Sequence, residues 1–131
     1  MVTTALTAAN AAGHKHWFVP DAFLPSESSN GHISHESICL LNVGEADAEV
    51  VITVYFADQD PRVSSPLTVP AQRDLHLRTN EPERLGGLRI PAGVPYAIAV
   101  ASNVPVFAQY SRLDTTRGAY TLMTVIPAGR D

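Results

Sequence analysis

Ile33-Ser34-His35-Glu36-Ser37-Ile38-Cys39-Leu40-Leu41-Asn42-Val43-Gly44-Glu45-Ala46-Asp47-Ala48-Glu49-Val50-Val51-Ile52-Thr53-Val54-Tyr55-Phe56 is the stretch whose reading decides the fold class. Ile38 to Leu41 is an apolar run too short for a helix, and Val50 to Phe56 is a second run dominated by β-branched residues. Asn42 to Asp47, between them, holds the Asn, Gly and Asp of turn chemistry, so the pattern predicts a hairpin. In its second strand Val50, Ile52, Val54 and Phe56 share one face, and Val51, Thr53 and Tyr55 the other. Two largely apolar faces place the hairpin between packed layers or against another subunit.

Working outward, Trp17-Phe18-Val19 reads as a short strand closed by Pro20-Asp21, with Phe23-Leu24-Pro25 extending it before the polar loop Ser26 to His32. Beyond the hairpin, Asp58 to Pro66 is a proline-containing connector, and Leu67-Thr68-Val69 is a short strand. Arg73 to Arg78 alternates, with Arg73, Leu75 and Leu77 on one side and Asp74, His76 and Arg78 on the other. Thr79 to Gly93 carries enough Gly and Pro to be an irregular connection. Tyr96 to Ala101 and Val104 to Leu113 are strands separated by a Ser102-Asn103 turn, and Ala119 to Ile126 is the last. Seven or eight short strands without an amphipathic helix predict an all-β, single-domain antiparallel β-sandwich over residues 14–131, preceded by a flexible extension at 1–13.

A chain of 131 residues fits one domain. Its net charge is −4 and only 17% of its residues are charged. That balance supplies no basic stripe for phosphate binding, so nucleic acid is not its main partner, and it leaves apolar surface for self-association. The single cysteine, Cys39, cannot form an intramolecular disulfide and reads as a buried small hydrophobe. No apolar run approaches the ~20 residues that span a bilayer. The first twelve residues lack the basic start and hydrophobic stretch of a signal peptide. A cytoplasmic location follows as the expectation.

Five histidines, at 14, 16, 32, 35 and 76, raise the question of a metal. The glycine-framed Glu and His spacing of a cupin site is absent, and no metal or cofactor is expected. His35 and Cys39 stand four residues apart on a strand, roughly 13 Å, too far for a nucleophile and base. His35 and Glu36 are neighbours that point to opposite faces, so only one can enter a given pocket. Gln109, Arg112 and Asp114 are polar residues in or beside an apolar strand, and buried polar groups need partners. They pair among themselves, Arg112 with Asp114, or line a cleft with Trp17, His76 and Arg78 that orients a small polar ligand.

Several stretches resemble the small soluble transducers of cyanobacterial sensory rhodopsin and their relatives. They are Trp17 to Asp21, Ser34-His35-Glu36 with Cys39, Leu41-Asn42 and Gly44, Asp47-Ala48, and Tyr55-Phe56. Val69-Pro70-Ala71 with Arg73, His76 and Arg78, Ser102 to Val106, Gln109, and Arg112-Leu113-Asp114 continue the match, which runs from about residue 14 to 126. The resemblance implies a homotetrameric β-sandwich without catalysis. Its role would be to relay a signal from a membrane receptor or to bind a small molecule such as a sugar. It also implies that His35, Glu36, Asn42, Arg73, His76, Arg78, Asn103, Gln109, Arg112 and Asp114 are site positions. Gln72 and Leu75 stand where basic residues are usual, Tyr120 where a small amide is usual, and the tail from Pro127 to Asp131 departs from the pattern.

Overall fold

Alternating burial along each strand sets the architecture of the computed structural model, which describes residues 12–131. Residues 1–11, most of the extension expected at 1–13, lie outside the described residues. The strands are β1 (His14–Phe23), β2 (His35–Asn42), β3 (Ala48–Tyr55), β4 (Arg62–Val63), β5 (Leu67–Val69), β6 (Arg73–Arg78), β7 (Pro95–Asp114), β8 (Thr121–Val125) and β9 (Ala128–Arg130). A 3-10 turn at Pro82–Arg84 interrupts the connection before β7. The expected all-β antiparallel class is what forms, with nine strands among the described residues rather than seven or eight.

Among the described residues the eight strand pairings are all antiparallel, and half of them involve β7. Its first half is flanked by β3 and β1, with β4 and β5 beyond β3 and β9 beyond β1. Its second half is flanked by β2 and β8, with β6 beyond β2. The continuous sheet therefore folds over into two layers that share one strand. Ile38, Leu40 and Leu77 from one layer and Val50, Ile52, Val54, Ile98 and Val100 from the other belong to a single core. Each such aliphatic side chain contributes roughly 1.5–3 kcal/mol by leaving water. The irregular connection covers this core with Leu85, Leu88 and Ile90.

The expected hairpin does not form. β2 pairs with β6 and β7, whereas β3 pairs with β4, β5 and β7. Each strand has one fully buried row, and facing each other across the core satisfies both rows at once. A side-by-side hairpin would instead place them in one layer. Asn42 stabilises the resulting corner. Its Nδ2 donates to the carbonyls of Ala46 at 2.8 Å and Val69 at 3.0 Å, and its Oδ1 accepts from the Gly44 amide at 3.0 Å. The outer row of β3 is less covered than its composition predicts: Val51 and Thr53 are half-buried and Tyr55 is exposed.

The expected turn at Ser102-Asn103 is absent too, because Pro95–Asp114 is one strand of 20 residues. Between the pairs His16↔Ala101 and His14↔Val106 the register shifts, and this bulge carries β7 from one layer to the other. Pro105 lies within the shifted stretch, where a missing N–H costs no ladder bond to β1. Asn103 Oδ1 accepts from the Glu49 amide at 2.8 Å and ties the crossing to β3. Likewise β1 is not closed by Pro20 but runs through it, with a register shift between Val19 and Ala22. The strand expected at 119–126 is shorter, and the tail after it forms β9 against β1. Gly129 permits that approach, since a Cβ there would come within 2.9 Å of Trp17 Cζ3.

Candidate functional site

In the layer β6-β2-β7-β8, the inward rows are mostly apolar, with Glu36 and Asn42 of β2 as polar members, and the outward rows bring chemically varied side chains together. Register places His76 beside Cys39 and Cys39 beside Gln109, with Asp74, Leu41 and Phe107 in the next row. These rows line a hollow of about 590 Å³ together with Trp17, Gln72, Arg73 and Ile126. Four of the expected site residues, Trp17, Arg73, His76 and Gln109, thus meet in one place.

Within the hollow the polar groups are held in position. His76 Nε2 lies 3.2 Å from Asp74 Oδ2, and Arg73 donates to the Gln72 carbonyl at 2.9 Å. Gln109 Nε2 donates to Thr124 Oγ1 at 3.2 Å, which leaves its amide oxygen facing outward. Trp17 Nε1 donates to the carbonyl of Val106 at 2.9 Å, and this bond fixes its ring in the floor. Cys39 is half-buried on the outward face rather than buried as a core hydrophobe, and burial, assisted by the Asp74 carboxylate, pushes its thiol above its ordinary range. Phe107 remains 38% exposed, so an aromatic face is open to a ligand. An apolar ring beside a rim of Arg, Asp, His and Gln can hold a small polyhydroxylated molecule by stacking and hydrogen bonds.

Glu36 and Arg112 belong to a different place, inside the fold. Glu36 is wholly buried. Its Oε1 accepts from Tyr96 OH at 2.5 Å and Thr79 Oγ1 at 2.8 Å. Its Oε2 accepts from the Phe23 amide at 3.0 Å and from Tyr110 OH. A carboxylate so surrounded is stable without a directly bound cation, because every oxygen lone pair it presents finds a donor. Burial and then Glu36 raise the ionisation of both phenols well above their ordinary range, so both act as donors. Arg112 Nε donates to Tyr110 OH at 3.3 Å, and its guanidinium lies over the Phe23 ring. Burial opposes the Arg112 charge, but Tyr110, Glu36 and Asp21 outweigh it and hold the guanidinium above its usual range. The expected Arg112–Asp114 ion pair is absent. Asp114 instead accepts from the Thr116 amide at 2.9 Å, and the Thr116 hydroxyl, then that amide, hold its carboxyl below the usual range.

The remaining expected residues scatter. His35 and Arg78 share the outward face with the hollow but lie along the strands from it, and His35 Nδ1 donates to the Ile33 carbonyl at 2.9 Å. Asn42 and Asn103 hold the corner and the crossing. Asp114 borders a second depression of about 480 Å³ with Phe23, Glu27 and Arg117. Glu36 faces the core while His35 and His76 face outward, so these three cannot act together on a metal. Tyr96, Tyr110 and Thr79 were not singled out by sequence, although a tyrosine hydroxyl within an apolar strand already demands a partner.

The same layout is found in solved structures. The Thermotoga maritima protein 1070 is 39% identical, with a TM-score of 0.80 over 90% of this chain and 96% of that one. The Anabaena sensory rhodopsin transducer is 36% identical, with a TM-score of 0.69 over 79% of this chain and 91% of that one. No curated protein matches the sequence. A model of the family described as "Anabaena sensory rhodopsin transducer" matches residues 12–128. With that match spanning the described fold, and two solved relatives above one-third identity, the chain belongs to the Anabaena sensory rhodopsin transducer family.

Proposed function

We propose that this chain is a non-catalytic signal-relay domain of the cytoplasm that responds to a small polar metabolite, a sugar or a related polyol, bound in the hollow over β6-β2-β7. The observation that carries the reading is the convergence of Trp17, Arg73, His76 and Gln109 with the open Phe107 ring around about 590 Å³ of space. The domain works as a homotetramer. Support for self-association comes from the other layer, whose outer face carries the exposed Phe18, Tyr55 and Val63 beside Ala97 and Ala99.

A thermal-shift screen of monosaccharides, polyols and sugar acids tests the ligand. A binder at one hundred times its Kd stabilises the native state by about 2.7 kcal/mol. The shift should vanish in a His76→Ala, Gln109→Ala double variant, and a screen without any shift overturns the ligand reading.

A second reading is favoured by the apolar side chains on the same layer: Leu41, Phe107, Leu122 and Ile126 are exposed. They suit an adaptor that contacts a membrane receptor, as the name of the Anabaena relative describes for that protein. Genomic neighbourhood separates the two: a rhodopsin gene alongside favours the adaptor, sugar-metabolism genes the metabolite sensor.

A further inference from the structure

Pro25 to His32, between β1 and β2, and Thr115 to Tyr120, between β7 and β8, are poor in apolar side chains and rich in hydroxyls. Those hydroxyls join the two connections. Ser29 Oγ donates to the Thr116 carbonyl at 3.0 Å, Thr115 Oγ1 to the His32 carbonyl at 2.7 Å, and the adjoining Ser34 Oγ to the Glu27 carbonyl at 2.7 Å. Loops fixed in this way hold their outward side chains at set places, and a preformed site loses little entropy when it is filled. Between them lies the second depression, about 480 Å³, walled by Phe23 and carrying Glu27, Asp114 and Arg117. It shares no lining residue with the hollow.

Unlike charges around one space attract, yet these stay apart. Among the described residues Arg117 forms no ion pair with Asp114 or Glu27. It is near enough to Asp114 to help lower its ionisation, after the Thr116 hydroxyl and amide and Arg112. Asp114 is half-buried, and Glu27 and Arg117 are exposed. The Arg112 charge is answered inside the fold by Tyr110 and Glu36. The depression itself therefore presents two carboxylates and one guanidinium, with negative charge in excess. We propose that it binds a basic α-amino acid, a molecule with the charge pattern of arginine, lysine or ornithine. The α-carboxylate meets Arg117, whose planar fork suits it. Asp114, the carboxylate under the influence of Arg117, takes the neighbouring α-ammonium. Glu27, on the facing loop, takes the side-chain cation, and the methylene stem lies against Phe23. The net positive charge of such a ligand cancels the excess. A neutral sugar leaves all three charges unanswered, and an acidic amino acid sets carboxylate against carboxylate. The site is independent of the metabolite reading of the hollow.

Titration calorimetry of the full chain with L-arginine tests this. Agmatine, which lacks the carboxylate, and L-alanine, which lacks the second cation, serve as comparisons, and L-arginine should bind more tightly than either. Asp114→Asn keeps an oxygen for the Thr116 amide but loses the charge, and Arg117→Gln loses the guanidinium at an exposed position, so both variants should fold. Each should weaken L-arginine binding by about tenfold or more, and Arg117→Gln should also erase its advantage over agmatine. The His76→Ala, Gln109→Ala double variant should bind L-arginine as wild type does. A wild type that binds no L-arginine, or binding unchanged by both Asp114→Asn and Arg117→Gln, overturns the site. Loss of binding in the double variant also overturns it, because the ligand then belongs to the hollow. The metabolite reading stands or falls separately, in the sugar screen.

Discussion

Tyr96 and Tyr110 lie in opposite layers on a single strand and donate to the same carboxylate, that of Glu36. The two halves of β7 are thus joined through a residue of β2, and the layers are fixed to each other by polar bonds as well as by apolar packing. Replacing Glu36 by Gln keeps the volume, but it removes the charge and turns one acceptor into a donor aimed at other donors. The loss should be about 3 kcal/mol, measured by urea unfolding against wild type, and a loss below about 1 kcal/mol would show that the cluster is incidental.

The same cluster sets a response to base. Both phenols ionise above the ordinary value of 10.0, through burial and then Glu36. A raised folded-state ionisation contributes stability that is complete below pH 10 and is lost as pH climbs beyond it. Of four tyrosines, two should stay protonated in spectrophotometric titration until the protein unfolds. Tyr110→Phe should flatten the fall of stability above pH 10, and an unchanged slope would count against it.

Asn42 makes the corner between β2 and β3 possible by bonding Ala46, Val69 and Gly44. Asn42→Ala strands buried backbone groups and should cost about 2–3 kcal/mol, with Asn42→Asp no better because a carboxylate cannot donate to the two carbonyls. Chemical denaturation of both variants checks this, and a near-neutral Asn42→Ala would mean that water replaces the amide.

Cys39 reports on the hollow. Its thiol is pushed above the ordinary value of 9.0 by burial and by Asp74, so alkylation should be slow at neutral pH and accelerate into the alkaline range. Asp74→Asn should speed it severalfold at pH 8, and a bound ligand should slow it. Alkylation as fast as that of an unstructured peptide would contradict the described burial.

Much of the fold was legible because strand alternation is a local property: the inner row Val50, Ile52 and Val54 of β3 and the alternation of β6 stand where the pattern placed them. What the pattern could not carry was pairing. The corner at Asn42 and a hairpin turn use the same residue types, and the choice between them depends on β7, more than fifty residues away. Ser102-Asn103-Val104-Pro105 likewise reads as a turn until its bulge against β1 is seen. For the site, of the cleft expected from Gln109, Arg112, Asp114, Trp17, His76 and Arg78, only Trp17, His76 and Gln109 line the hollow. Asn42 and Glu36 are also polar residues in an apolar strand but face inward, and composition alone does not distinguish an inward polar group with partners from an outward one awaiting a ligand.

The passage of β7 through both layers also dictates an order of events during synthesis. β1, β2 and β3 all take β7 as a neighbour, so on the ribosome the first two-thirds of the chain waits for Pro95–Asp114 before either layer closes. Such distant pairing is slow to nucleate and exposes unpaired edges meanwhile. A chain cut short before Pro95 would have the residues of most of the core and no strand to organise them. In cells, fragments ending there should aggregate or be degraded rather than fold.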